Sequence, residues 1–173
     1  YDYPPLFNSA NLSIRSFVNR GQEKVIGSRD GLFYINEATG VVKSFVKPVL
    51  TSDLILTICF YQGEYYIGTY GGGMMVLNPE TLSLKYFAQG DTELFQKGHI
   101  FCVKPDAKGN LWIGTSQGLF SYNGQTKQIK SFTSANSQLP EGNVYEVSFD
   151  STGKGWIATE TGMCIYDPAS QSL

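Results

Sequence analysis

Four edited copies of one hairpin, each a buried strand, a glycine turn and a second strand, predict an all-β chain folded as a β-propeller segment. The clearest copy runs from Gly109 to Asn123, with Leu111-Trp-Ile-Gly-Thr115, a turn at Ser116-Gln117-Gly118, and Leu119 to Tyr122. The others centre on Val25-Ile-Gly-Ser28, Tyr66-Ile-Gly-Thr69 and Trp156-Ile-Ala-Thr159. Their isoleucines, Ile26, Ile67, Ile113 and Ile157, are 41, 46 and 44 residues apart. Aromatic residues make up 14% and charged residues 16% of the chain, a mix that suits sheet and argues against disorder.

Each repeat reads as four antiparallel strands, a to d. In the first, strand a covers Ile14 to Val18, b Lys24 to Ser28, c Leu32 to Ile35 and d Val41 to Phe45. The second has a at Ile55 to Tyr61, b at Tyr65 to Thr69, c at Met74 to Leu77 and d at Ser83 to Phe87. The third has a at Ile100 to Lys104, b at Leu111 to Thr115, c at Leu119 to Tyr122 and d at Gln128 to Phe132. In the fourth, a is Val144 to Phe149, b Gly155 to Thr159 and c Met163 to Tyr166. The four blades span about 14–45, 55–87, 100–132 and 144–173 in a single unit of 1–173. Phe45, Phe87 and Phe132 each follow by nine residues the Asn that ends strand c, which registers the outer strands independently. Asn123-Gly124 is the dipeptide preferred by a tight two-residue turn. The fourth repeat stops before strand d, and Tyr1–Tyr3 sits where an outer strand of a preceding blade would end. With no initiator Met, the chain reads as a processed protein or a piece cut from a larger propeller. Its cut ends predict closure into a small ring or self-association into a larger one, with residues 1–3 completing a blade.

Net charge is −2 and no Lys/Arg run exists, so nucleic acid is excluded as an expected partner. No apolar run reaches the length of a membrane span, so no direct membrane contact is expected of this segment. Cys59, Cys102 and Cys164 have no metal-ligand spacing and read as free thiols packed as small hydrophobes. One disulfide plus one free thiol is the alternative. Trp112, Trp156 and Tyr66 alternate with the isoleucines and would wedge between blades, with Gly27, Gly68, Gly114 and Ala158 allowing close approach.

Catalytic constellations are weak. His99, the one histidine, has no nucleophile or carboxylate set beside it by any motif. Asp106 and Asp150, each three residues before a glycine, read as turn formers. Gly71-Gly72-Gly73 lacks the lysine and helix of a phosphate loop. No catalytic residue, metal or cofactor is therefore expected.

Trp112-Ile-Gly-Thr115 with Gly118-Leu119 and Tyr122-Asn123 resembles the two-component regulator propeller repeat, and so does Tyr66-Ile-Gly-Thr-Tyr-Gly-Gly-Gly73 with Asn78-Pro-Glu-Thr81. Val25 and Ser28 depart from the pattern, where the repeat has Trp and Thr. The resemblance implies the periplasmic sensor region of a hybrid two-component system of the Bacteroides type. There, propellers precede a membrane helix, a histidine kinase, a receiver and a DNA-binding region that regulates transcription. It implies carbohydrate sensing, with a polysaccharide-derived oligosaccharide as ligand and the rest of the sensor as partner. A propeller glycosidase or lyase, or a non-catalytic scaffold, are the alternatives. Sugar binding would use the rim shared by the b–c turns and d–a loops. That rim would present Arg29, Asp30, Tyr70, Gln117 and Glu160, with Glu93, Phe95 and His99 from a loop. Singly, each also reads as a solvated turn residue.

Overall fold

The structure, a computed structural model, describes residues 13–87 and 92–173. The expectation for Tyr1–Tyr3 lies outside the described residues. Four antiparallel sheets follow one another along the chain. The first holds β1 (Ile14–Arg20), β2 (Glu23–Ser28), β3 (Gly31–Asn36) and β4 (Val41–Phe45). The second holds β5 (Ile55–Tyr61), β6 (Glu64–Thr69), β7 (Met74–Leu77) and β8 (Leu84–Tyr86). The third holds β9 (Ile100–Pro105), β10 (Asn110–Thr115), β11 (Gly118–Asn123) and β12 (Ile129–Phe132). The fourth has three strands among the described residues: β13 (Val144–Phe149), β14 (Gly155–Thr159) and β15 (Met163–Tyr166). These are the blades of a propeller segment. Observed and expected strand ends differ by two residues at most.

One element departs from expectation. The segment before β9, read as a loop, contains α1 (Thr92–Lys97). Glu93 in its first turn and Lys97 in its last complement the helix dipole, and the Gly98 amide closes it by donating to the Leu94 carbonyl at 2.7 Å. Leu94 and Phe95 are fully buried in the core between the second and third blades. Phe95 is therefore a core residue and not the rim contact expected of it.

The inner strands β1, β5, β9 and β13 pack side by side in that order. Three interblade cores lie between successive sheets. Val25, Leu32 and Tyr34 meet Ile58, Ile67 and Met75 in the first. In the second, Tyr61, Tyr66, Phe87, Phe95 and Tyr122 form a chain of edge-to-face contacts with centroids 5.0–5.5 Å apart at its tightest steps. In the third, Trp112 is wedged against Phe132, Phe149 and Tyr166 at 5.6, 5.7 and 4.5 Å.

Strand-b glycines set the spacing of these cores. A Cβ on Gly27 would lie 2.5 Å from Ile55 Cγ2, one on Gly68 2.7 Å from Ile100 Cγ2, and one on Gly114 2.7 Å from the Val144 carbonyl oxygen. In every joint the glycine faces the first residue of the next blade's inner strand. Ala158 holds the matching place on the fourth blade, whose outer face meets no further blade among the described residues. There Trp156, Met163 and Ile165 are 42%, 62% and 40% exposed. Trp156 shares the register of Trp112, but no sheet among the described residues packs on that side. β13 makes no packing with β1 comparable to the other inner-strand pairs, so among the described residues the four blades do not close into a ring and the sheets make an arc.

Side-chain hydroxyls and amides tie the turns. Thr69, Thr115 and Thr159, with Ser28 in the first blade, each donate to the carbonyl of a glycine across the β-turn at 2.8–3.0 Å. The same oxygens accept a turn amide at 3.0–3.1 Å. Asn36, Asn78 and Asn123 accept the amides two and three residues on, as an Asx turn does. The residue four after each, or after Asp167, is left-handed: Gly40, Leu82, Lys127 and Gln171. The Asn123-Gly124 turn is thus wider than the two-residue turn expected, because the Asn123 side chain occupies the amides that would tighten it. Asp106 caps its own turn through Lys108 N and Asn110 N, and its second oxygen accepts Trp112 Nε1 at 2.9 Å. Asp150 repeats this with Trp156 Nε1 at 3.5 Å. Hydrogen bonds, that of the Thr152 hydroxyl first, hold the Asp150 carboxyl below its ordinary range.

All three cysteines are free: Cys59 and Cys102 are buried and Cys164 is partly so. Burial pushes the Cys102 thiol up to about 12 and the Cys59 thiol up to about 11. Burial likewise pushes the Tyr65 phenol up to about 12.

Three outcomes are expected. Gly68→Ala drives a methyl into Ile100 and should lower the urea midpoint by the equivalent of about 1–3 kcal/mol without changing the slope. Asp106→Ala leaves the buried Trp112 N–H without an acceptor and should cost about 1–3 kcal/mol by thermal denaturation, against a smaller loss for Asp150→Ala beside the exposed Trp156. Above the ordinary thiol value of about 9, the unfolded chain releases protons that the folded chain keeps, so stability falls as pH rises. Urea midpoints measured from about pH 8 to about pH 10 should decline, and Cys102→Ala should decline less steeply.

Candidate ligand-binding rim

In each blade the turn after strand b is bonded to the residue that leads into strand a. The amides of Arg29, Tyr70, Ser116 and Glu160 donate to the carbonyls of Ser13, Leu54, His99 and Asn143 at 3.0, 3.0, 3.2 and 2.9 Å. The β2–β3, β6–β7, β10–β11 and β14–β15 turns therefore share one rim with Ser13, Leu54, His99 and Asn143, the residues entering β1, β5, β9 and β13.

The candidate residues are brought together unevenly. Tyr70 is half-exposed and stacks on the His99 ring at 4.0 Å and 28°. His99 is half-buried, and its Nδ1 is shielded with no hydrogen-bond partner. Gln117 opens onto a cleft of about 340 Å³ that Ser116, Thr133, Ser134, Pro140 and Glu141 also line. Glu160 accepts the Asn143 amide at 3.2 Å and packs beside Gly142, so it stands next to the same loop. Arg29 and Asp30 are exposed in the β2–β3 turn, where the Asp30 amide is used by the Ser28 hydroxyl. Glu93 is exposed on α1.

Two further rim residues, Phe101 and Tyr145, are unmarked in the sequence. Every inner strand carries a β-bulge at its second residue. Ile14 pairs with Ser28 and Ser16 with Gly27, which leaves Arg15 outside the ladder. The same shift excludes Leu56, Phe101 and Tyr145. A bulge re-aims its side chain away from the pleat. Phe101 lies 6.2 Å from His99 and 5.1 Å, edge to face, from Tyr145, which is 44% exposed. A succession of rings, Tyr70, His99, Phe101 and Tyr145, thus runs across three blades. The Asn143 side-chain amide donates to the Tyr145 hydroxyl at 3.2 Å.

The triple glycine serves packing. Thr51 Oγ1 donates to the Gly72 carbonyl at 2.6 Å and Ser52 Oγ to the Tyr70 carbonyl at 2.9 Å. The Gly73 amide donates to the Gly98 carbonyl at 2.9 Å, and a Cβ on Gly73 would collide with the Phe95 carbonyl. The Gly72 amide donates to Thr69 Oγ1 at 3.1 Å, so the Gly72 and Gly73 amides are both committed to the fold rather than to a phosphate cradle.

Three carboxylates are committed to the fold. Both oxygens of Asp106 and of Asp150 accept bonds from their own turns and tryptophans. Glu23 accepts the hydroxyls of Tyr34 and Tyr65 at 2.8 and 2.9 Å and pairs with Arg20 at 2.9 Å, a latch between the first two blades. Among the described residues no group of three His, Cys, Asp or Glu side chains comes together to hold a metal ion. No helix among them is long and apolar enough to cross a membrane.

Residues 95–117, from α1 to the β10–β11 turn, match the family described as two component regulator propeller. No curated protein matches the chain. Among solved structures, the extracellular domain assigned to the hybrid two component system BT4673 of B. thetaiotaomicron superposes with a TM-score of 0.76 at 20% identity, over 93% of this chain and 23% of that one. The extracellular domain assigned to BT3049 of the same organism gives 0.69 at 27% identity, over 96% of this chain and 22% of that one. The chain thus spans less than a quarter of the length of these two domains. The computationally designed Ika4 protein gives 0.66 at 14% identity, over 92% of this chain and 93% of that one, a likeness of fold. The chain is a β-propeller segment that carries a two component regulator propeller repeat and resembles the extracellular domains of hybrid two component systems.

Proposed function

We propose that the chain is a non-catalytic segment of a periplasmic sensor propeller, and that a polysaccharide-derived oligosaccharide is recognised on its rim. The observation that carries this reading is the regulator-propeller match over residues 95–117, within a chain whose likeness to the BT3049 extracellular domain extends over 96% of its length. Arg29, Asp30, Tyr70, His99, Gln117 and Glu160 are the contact set, with Tyr70 and His99 at its centre. The histidine kinase and the membrane helix lie elsewhere in the parent protein. Asp106, Asp150 and Glu23 spend both carboxylate oxygens within the fold, so none of these three supports a glycosidase reading, which needs two carboxyl groups free to face one sugar ring.

A second reading concerns assembly. The apolar face carrying Trp156, Met163 and Ile165 favours contact with a further blade, from the parent protein or from a second copy of this chain.

The full-length gene that encodes this chain tests the sensor reading, expressed with a reporter fused to its target promoter. One class of oligosaccharide should induce the reporter, leave the chain without hydrolytic activity, and lose its effect when Tyr70 and Glu160 are both replaced by Ala. A gene without a downstream membrane helix and kinase, or an oligosaccharide cleaved by the purified chain, would refute it.

A further inference from the structure

We infer that the bulged second residues of β9 and β13, Phe101 and Tyr145, continue the Tyr70–His99 stack into a ladder of aromatic faces that binds successive pyranose rings of an oligosaccharide. The inference rests on the rim reading above and adds to it the residues that make the platform and the part of the sugar they touch.

Three observations carry it. The first is the repeated bulge. It removes Arg15, Leu56, Phe101 and Tyr145 from the ladders at the same place in all four blades, and only the third and fourth blades put an aromatic ring there. The second is exposure. Tyr70 and Tyr145 are 50% and 44% exposed at the two ends of the succession, whereas Tyr61, Tyr65 and Tyr66 are buried in the cores. The third is geometry. Tyr70 and His99 already cover each other at 4.0 Å, and the remaining steps are tilted by 39° and 71°. No parallel pair is left open to sandwich a flat aromatic ligand. The ring faces left open at such a stepped succession would present electron-rich π-systems to the weakly positive C–H face of a sugar.

The groups around the ladder suit hydroxyls. The Asn143 amide and the Glu160 carboxylate stand at its Tyr145 end. The Gln117 cleft lies on the same rim. These acceptors and amides would orient the equatorial hydroxyls while the rings take the apolar face.

Saturation-transfer NMR on the full chain, with maltohexaose, laminarihexaose and xylohexaose as probes, reads the contact. Irradiating aromatic protons should saturate the ring C–H protons of at least one probe. Tyr145→Ala and Tyr70→Ala should each weaken that probe by about ten-fold. Tyr86→Ala, which removes a tyrosine of similar exposure from β8, should leave affinity within about two-fold. Unchanged urea midpoints in these exposed-site variants would show that the fold is intact. The ladder is overturned if none of the three sugars receives saturation, or if Tyr70→Ala and Tyr145→Ala both bind as the parent does. Sugar binding that survives those two substitutions but is lost in Glu160→Ala refutes the ladder and leaves the sensor reading standing. Binding through the ladder with no reporter response in the full-length protein refutes the sensor reading and leaves the ladder.

Discussion

The approach of a strand-b glycine to the first residue of the next inner strand is the constraint on which the arc depends. Gly27 against Ile55, Gly68 against Ile100 and Gly114 against Val144 bring neighbouring sheets to within the reach of single side chains. Only at that separation can Trp112 touch Phe132, Phe149 and Tyr166 together, or Phe87 bridge Tyr66 and Tyr122. Polar ties then fix the sheets against sliding. Tyr61 lends its hydroxyl to the Gly109 carbonyl at 2.7 Å and takes the Gly124 amide at 2.9 Å, and Ser16 accepts the Ile58 amide at 2.9 Å. The apolar joint comes first, because these bonds are short only if the sheets are already close.

The rim follows from the same joints. Each turn that closes strand b is held by a Thr or Ser hydroxyl within the blade and by a backbone bond to the residue entering strand a. The turns stand on a rigid base while their side chains stay outside the packing, which is the usual division between scaffold and contact surface. α1 adds to this base: Leu94 and Phe95 fill the second joint, and the Gly71–Gly73 turn threads between the helix and Ser52. His99 then emerges directly beneath Tyr70.

How much of this could be read in advance depended on whether a residue had a single local task. Ile-Gly-Thr was legible because each member answers to one demand: burial for Ile113, close approach for Gly114, turn closure for Thr115. The nine-residue spacing from Asn to Phe was legible for the same reason, since the Asn caps a turn of fixed length and Phe45, Phe87 and Phe132 are all buried beyond it. The bulges were not legible. Ile-Arg-Ser, Ile-Leu-Thr, Ile-Phe-Cys and Val-Tyr-Glu share no glycine or other mark, and the shift arises from how β1, β5, β9 and β13 pair with the strands beside them. α1 was hidden because six residues give no helical period. Trp156 marks the limit of a local register, because its burial depends on what stands on the other side. Of the candidate site, the rim and the residues Tyr70 and His99 were readable from the repeat, whereas their contact with Phe101 and Tyr145 required the bulges.

A glycine at every joint makes a repeat extensible, since any unit can follow any other without steric conflict. Ala158 breaks that interchangeability. A blade arriving on the Trp156 face with a β-branched leading residue, as Ile55, Ile100 and Val144 are, would meet a methyl group that the other three joints lack. Such a unit would fit with a smaller leading side chain or a wider spacing. A single methyl thus sets this junction apart from the three internal ones, which share a glycine.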